Sequence, residues 1–129
     1  MELVRRGNAL VSAGEWDAAF ALWHTDAEYR DLQHGPDMPE VLKGLEGLRR
    51  IAALWMDVYE ELGAEVYEYI DAHPWVICDT RWHGKVKGSD LPIDVHVADA
   101  YEVRGGKIAR AIMSYPDVAT ALKAVALEE

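Results

Sequence analysis

One cysteine, Cys78, excludes an intrachain disulfide and a zinc site built from several thiolates. Basic residues are also scarce: 13 Lys and Arg face 23 Asp and Glu, for a net charge of −10. No basic run offsets that excess, which argues against nucleic-acid binding through phosphates and against docking on an anionic membrane. No apolar run is long enough to cross a bilayer and no charged-then-apolar leader is present, so the expectation is a cytoplasmic protein. Repeats, linkers and low-complexity tracts are missing, so residues 1–129 are expected to form one domain. There is no glycine-rich phosphate loop, nucleophile elbow or spaced set of metal ligands; neither cofactor nor metal is expected.

Half of the residues are hydrophobic, with five Trp and six Tyr among them. Trp and Tyr carry a polar handle on an apolar body, which leans toward a pocket or an interface. The most ordered stretch is 93–115, IDVHVADAYEVRGGKIARAIMSY. It reads as two alternating runs joined at Arg104-Gly105-Gly106-Lys107, where a Gly pair supplies the positive φ angles of a tight hairpin turn. Val95, Val97, Asp99, Tyr101 and Val103 then share one face. That row is apolar except for Asp99.

Periodicity predicts a first helix over 1–13 stopped by Gly14, and a second carrying Trp16, Phe20 and Trp23 on one stripe. His24-Thr25-Asp26 breaks that pattern, and 27–32 alternates as a strand with Tyr29 and Asp31 on one side. After the turn-rich HGPDMP loop and a short strand at 41–43, a third helix is expected from Leu45 to Leu62. Trp55 and Tyr59 would face inward from it. Strands follow at 64–70 and 75–84, then the hairpin, then a helix capped by Asp117. On 75–84, Val76, Cys78, Thr80 and Trp82 share one face; Ile77, Asp79, Arg81 and His83 share the other. The expectation is an α+β domain with helices on one face of a curved sheet. Val76, Cys78, Thr80 and Trp82, with Ala109, Ala111, Met113 and Tyr115, would then form an uncovered apolar second face. Such a face predicts a homodimer packed through the sheet.

The segments AGEWDAAFALWHTDAEYRD, GLEGLRR and RGGKIARAIMSYPD resemble the SnoaL-like branch of the nuclear transport factor 2-like superfamily, over nearly the whole chain. The resemblance implies a cone-shaped barrel of a curved, mostly antiparallel sheet, with helices packed on its concave face around a deep pocket. It also implies dimerisation through the convex sheet face. Asp31 matches the general-base Asp of the ketosteroid isomerases, and Asp99 matches their protonated, oxyanion-binding Asp. Arg81 and His83 fall where limonene epoxide hydrolases carry an Arg-x-Asp pair, and Tyr29 and Asp31 at their Tyr-x-Asn pair. Two positions depart: Gly7 stands near the isomerases' oxyanion Tyr, and Ser114 at the last-strand Asp of the cyclases and hydrolases.

Strand parity and the resemblance together nominate Asp31, Arg81, His83 and Asp99 as catalytic residues. Tyr29, Trp55, Tyr59, Tyr101 and Ser114 would line the pocket, with His34 at its rim. Carboxylates sharing an apolar pocket raise one another's pKa, which lets one hold a proton while the other is ionised. His24 and His73 read as structural turn residues, and His96, of opposite parity to Asp99, should face away. The expected function is cofactor-independent acid–base catalysis on a small hydrophobic organic molecule by an isomerase, cyclase, dehydratase or epoxide-hydrolase-like enzyme. The rival is a non-catalytic ligand-binding or association module.

Overall fold

The computed structural model describes residues 1–33 and 40–128. The chain forms α1 (Glu2–Ser12), α2 (Trp16–Phe20), β1 (Trp23–Asp31), β2 (Val41–Lys43), α3 (Gly44–Val58), β3 (Tyr59–Ala72), β4 (Trp75–Val86), β5 (Pro92–Arg104), β6 (Lys107–Tyr115) and α4 (Val118–Val125). The six strands make one curved sheet in the order β2-β1-β6-β5-β4-β3, which does not close. Only β1 and β6 run parallel; the other neighbours are antiparallel.

The β5–β6 hairpin turns where the glycine pair falls. Arg104 pairs with Lys107, and Gly105 and Gly106 hold φ of 60° and 78°. Asp117 caps α4 as its sequence position implies, accepting the Thr120 N–H at 2.7 Å. The third helix ends earlier than its apolar stripe suggests. Tyr59 is already extended and pairs with Val86, so the segment to Leu62 belongs to β3. Sheet pairing overrides helical spacing there, and Glu61 takes a φ of 55° at the irregularity between Glu60 and Gly63. Trp23 likewise leaves the α2 stripe and opens β1, whose register shifts between Trp23 and Glu28. His24 therefore lies in a strand, with its Nε2 at 2.6 Å from the Arg104 carbonyl oxygen.

Helices α1 to α3 cover one sheet face, placing Val4, Phe20, Leu48 and Ile51 against Val76, Cys78 and Tyr101. Helix α4 lies on the opposite face, where Ala121 and Val125 pack on Ile77, Ala98, Ala100 and Ile112. This corrects the expectation of helices on one face only. It also corrects which side of β4 faces them. Cys78 stands opposite Asp99 and Trp82 opposite Val95. Cross-strand partners share a face, so the β5 row that looks toward the helices carries Val76, Cys78 and Trp82 with it.

On β6, Ala111 and Met113 also point inward. Ala109 falls in a register shift between Glu102 and Val103, and Tyr115 turns out to join α4. The uncovered apolar face that argued for a dimer is thus absent as drawn. Of its residues, Val76, Cys78, Trp82, Ala111 and Met113 face the interior and Tyr115 meets α4, while Ala109 stays half-buried beside Glu102 and Arg110.

Candidate functional site

Between the inner sheet face and α3 lies an open cavity of about 190 Å³. Alternation on β1 sends Tyr29 and Asp31 to its wall, and α3 contributes Trp55. Tyr59 and Leu62 come from the start of β3, Trp82 from β4, Ile93, Val95 and Val97 from β5, and Met113 and Ser114 from β6. Two consecutive β6 residues reach the same wall because Ser114 has a φ of 74°, which breaks the strand's alternation. A smaller cavity of about 40 Å³ continues inward, sharing Tyr29, Trp55, Trp82 and Met113 with the outer one. The aromatic rings are in mutual contact. Trp55 lies 5.8 Å from Trp16, 6.0 Å from Tyr29 and 6.4 Å from Trp82 between ring centroids.

Asp99 sits behind this wall with 1% of its surface exposed. The Trp82 indole Nε1–H donates to its Oδ2 at 2.8 Å, and the Ser114 backbone N–H donates to its Oδ1 at 2.9 Å. Burial pushes its pKa up to about 6, against the lowering effect of those two donors; the nearby Asp31 carboxyl adds to the rise. Asp31 itself lines the cavity, with its Oδ1 accepting the Gln33 N–H at 2.9 Å. Burial, followed by the neighbouring Asp31 and Asp99, drives the Tyr29 phenol well above its ordinary pKa, so Tyr29 keeps its proton and can act as a donor.

At the inner end, Tyr101 Oη donates to Asn8 Oδ1 at 3.5 Å, and Asn8 Nδ2 lies 4.0 Å from Cys78 Sγ. Burial raises the Cys78 thiol far above the nucleophilic range. Gly7, where the isomerase resemblance would require an oxyanion-binding Tyr, lines this inner cavity without a side-chain donor.

Asp31, Tyr29, Trp55, Tyr59 and Ser114 thus gather at the outer cavity, Tyr101 at the inner one, and Asp99 behind both. Arg81 and His83 do not join them. On the outer sheet face, the Arg81 guanidinium clasps Asp94 at 2.8 and 3.0 Å and reaches Glu65 at 3.3 Å. The Arg81 hydrogen bonds hold the Asp94 carboxyl below its ordinary pKa. His83 has the same parity and stands against Gly63, outside the cavity wall. The register that turns Trp82 inward turns both of them out. Asp79 shares that outer face and lies 2.6 Å from His96 Nε2, which faces away from the cavity as its parity implies. His34 lies outside the described residues.

Trp82, Asn8, Gln33 and Met113 were not anticipated as site residues. The register of β4 against β5 would have exposed Trp82, but it depends on the irregular segment between the two strands. Met113 was hidden by the break in alternation at Ser114.

An open, curved sheet with helices packed on it is the fold of the nuclear transport factor 2-like proteins, a fold family that includes isomerases and cyclases. Residues 4–111 match the SnoaL-like domain, and the chain belongs to that family. Solved structures agree on the fold. A Catenulispora acidiphila protein with a ketosteroid isomerase-like fold, in complex with trimethylamine, has a TM-score of 0.77 at 21% identity, over 92% of this chain and 88% of that one. TerC, co-crystallised with polyporic acid, has a TM-score of 0.79 at 15% identity, over 92% of each chain. An NTF2-like protein of unknown function from Burkholderia pseudomallei has a TM-score of 0.77 at 11% identity, over 95% of this chain and 94% of that one. No curated protein matches the sequence.

Proposed function

We propose that this chain is a cofactor-independent enzyme performing acid–base chemistry on a small, largely apolar organic molecule held in the outer cavity. The observation that carries the reading is the pairing of two carboxyls in unlike settings. Asp31 lies on the cavity wall, and Asp99 lies buried behind it with a pKa near 6. Environments that separate two carboxyls in this way allow proton transfer near neutral pH. In this reading Asp31 takes a proton from a carbon next to a carbonyl and returns it at a neighbouring position. Tyr29 and the Ser114 hydroxyl are the donors available to the carbonyl oxygen. Asp99 is a positioning residue: it fixes the Trp82 indole and the Ser114 turn, and its charge bears on Asp31. Arg81 and His83 have no part. Structural neighbours crystallised with trimethylamine and with polyporic acid support a pocket for small organic molecules. Homodimerisation through the outer sheet face remains part of the proposal on family resemblance alone. Sedimentation at twice the chain mass would support it.

The test is hydrogen–deuterium exchange at the α-carbons of small cyclic ketones in D₂O, followed by NMR. The wild type should accelerate exchange for at least one ketone, and Asp31→Asn should lose roughly 100- to 10,000-fold of that rate. Ketones that quench tryptophan emission yet exchange at the background rate would replace this reading with the non-catalytic binding module. One observation favours that second reading: both oxygens of Asp99 are already engaged by donors of the protein itself.

A further inference from the structure

We infer that the inner cavity seats a second, non-reacting polar group of the substrate, a neutral hydroxyl held between the Tyr101 phenol and the Asn8 amide. The inference deepens the proposed function and rests on the outer cavity taking a small ketone. Position is the first ground. Val4, Gly7, Asn8 and Val11 recur at helical spacing on α1 and line the inner cavity, so an amide stands in a stripe that is otherwise apolar. Tyr101 comes to the same chamber from β5. Asn8 and Tyr101 are 8% and 5% exposed. The described residues that line this cavity are all uncharged, and a charge taken there would lose its water, so the group is a neutral one.

The second ground is how loosely these two groups are bonded. Tyr101 Oη donates to Asn8 Oδ1 at 3.5 Å, well beyond the roughly 2.8 Å of a good hydroxyl bond. Asn8 Nδ2 lies 4.0 Å from Cys78 Sγ, a weak acceptor. Asn8 also shares a hydrogen bond with Tyr69. Burial drives the Tyr101 pKa up, so its hydroxyl keeps the proton and stays a donor. A ligand hydroxyl between the two accepts from Tyr101 and donates to Asn8 Oδ1, exchanging one long hydrogen bond for two of ordinary length.

Space is the third ground. Gly7 has no positive φ, and a Cβ there would meet only Ile108 and Leu22, at an ordinary 3.9 Å. Glycine inside a helix costs stability against alanine, and neither backbone nor packing demands it here. Its missing side chain leaves room beside Asn8. At about 40 Å³ the inner cavity suits a hydroxyl and the carbon that bears it, not a ring. The two cavities share Tyr29, Trp55, Trp82 and Met113, which puts this chamber at the far end of a molecule seated in the outer one.

The experiment titrates two pairs of ketones into the intact chain by calorimetry and tryptophan emission. One pair is 4-hydroxycyclohexanone and 4-methylcyclohexanone; the other, of longer reach, is 4-(hydroxymethyl)cyclohexanone and 4-ethylcyclohexanone. In at least one pair the hydroxyl member should bind roughly tenfold more tightly, although a hydroxyl is harder to strip of water than a methyl. Tyr101→Phe, which keeps the ring beside Trp23, and Asn8→Leu should each abolish that ratio. Both are checked for native circular dichroism, and Tyr101→Phe alone decides if Asn8→Leu does not fold. A general loss of fit, or a role at the reacting carbonyl, would weaken both members of a pair alike. A ratio that survives the substitutions therefore overturns the inference. So does alkyl members binding as well as hydroxyl members in both pairs; the proposed function then stands if those ketones still exchange and Asp31→Asn abolishes it. If none of the four binds, the pocket reading falls and takes the inference with it.

Discussion

Trp82 and Asp99 lie on adjacent strands and meet inside the sheet's curve, the indole N–H donating a hydrogen bond to the carboxyl at 2.8 Å. This contact joins the cavity wall to the buried acid behind it. It also makes the tryptophan a determinant of the acid's ionisation.

Trp82→Phe keeps an aromatic ring in the wall and removes the donor. The ionised form of Asp99 then has only the Ser114 N–H, so its pKa should rise above 6. Carboxyl ¹³C chemical shifts followed through a pH titration would show it. The lost bond should cost about 1–3 kcal/mol at neutral pH. A pKa that stays in place would mean the indole does not help to hold the carboxylate.

Asp99 also gives stability a pH dependence of unusual sign for a carboxyl. Its folded pKa, about 6, stands above the unfolded value of ~3.9, so the folded chain holds the proton more tightly. Its contribution is full below about pH 4 and is lost as pH rises through 6, amounting to an order-of-magnitude 3 kcal/mol. Asp99→Asn cannot ionise and should not show this decline. Urea unfolding at pH 4 and pH 7 should find the variant gaining on the wild type by that amount, whatever the substitution costs at either pH.

Ser114 holds a φ of 74°, a region that costs a side chain bearing a Cβ. Ser114→Gly keeps the N–H for Asp99 and removes that cost, so it should be stabilising by up to about 1 kcal/mol. Ser114→Val, branched at Cβ, should be destabilising. Equal and opposite shifts from these expectations in thermal melts would mean that the hydroxyl, not the backbone, fixes the turn.

On the outer face Glu102 is 2% exposed and is gripped by Arg110 at 2.9 and 3.1 Å and by Arg104 at 3.2 Å. The Arg110 hydrogen bonds are the main cause of its lowered pKa. Arg110 also lies over the Trp75 ring at 4.9 Å. Arg110→Met should cost roughly 3 kcal/mol, because it leaves a buried carboxylate with only the more exposed Arg104. The double replacement Arg110→Met with Glu102→Gln should recover part of that loss in chemical unfolding.

Local chemistry was readable from the sequence; relative registration was not. Gly105-Gly106 announced the hairpin, Asp117 announced its helix, and the alternation of β1 put Tyr29 and Asp31 on the one side that becomes a cavity wall. The inward row of β5, with Asp99 in it, was legible for the same reason. The face of β4 was not, because both of its faces carry apolar residues and only pairing with β5 decides between them. Arg81 and His83 were misplaced on that account, and Trp82 was passed over. Tyr59 and Leu62 fitted the helical stripe by number, yet Tyr59 is extended opposite Val86 and Leu62 falls in the irregular stretch of β3 between Glu60 and Gly63. A left-handed residue at Ser114 has no signature in the residue type.

The parallel seam between β1 and β6 sets an order of assembly. Strands β3 to β6 are joined to their neighbours by short connections, so each can pair with a partner close behind it in the chain. Tyr29 must instead find Ala111, and Asp31 must find Met113, across most of the polypeptide. Closing so large a loop carries an entropic cost before any contact repays it. The four-stranded meander should therefore gain hydrogen-exchange protection first and β1 last. The acid-bearing wall would then be completed only in the final step, when the strand carrying Asp31 docks beside a sheet that already holds Asp99.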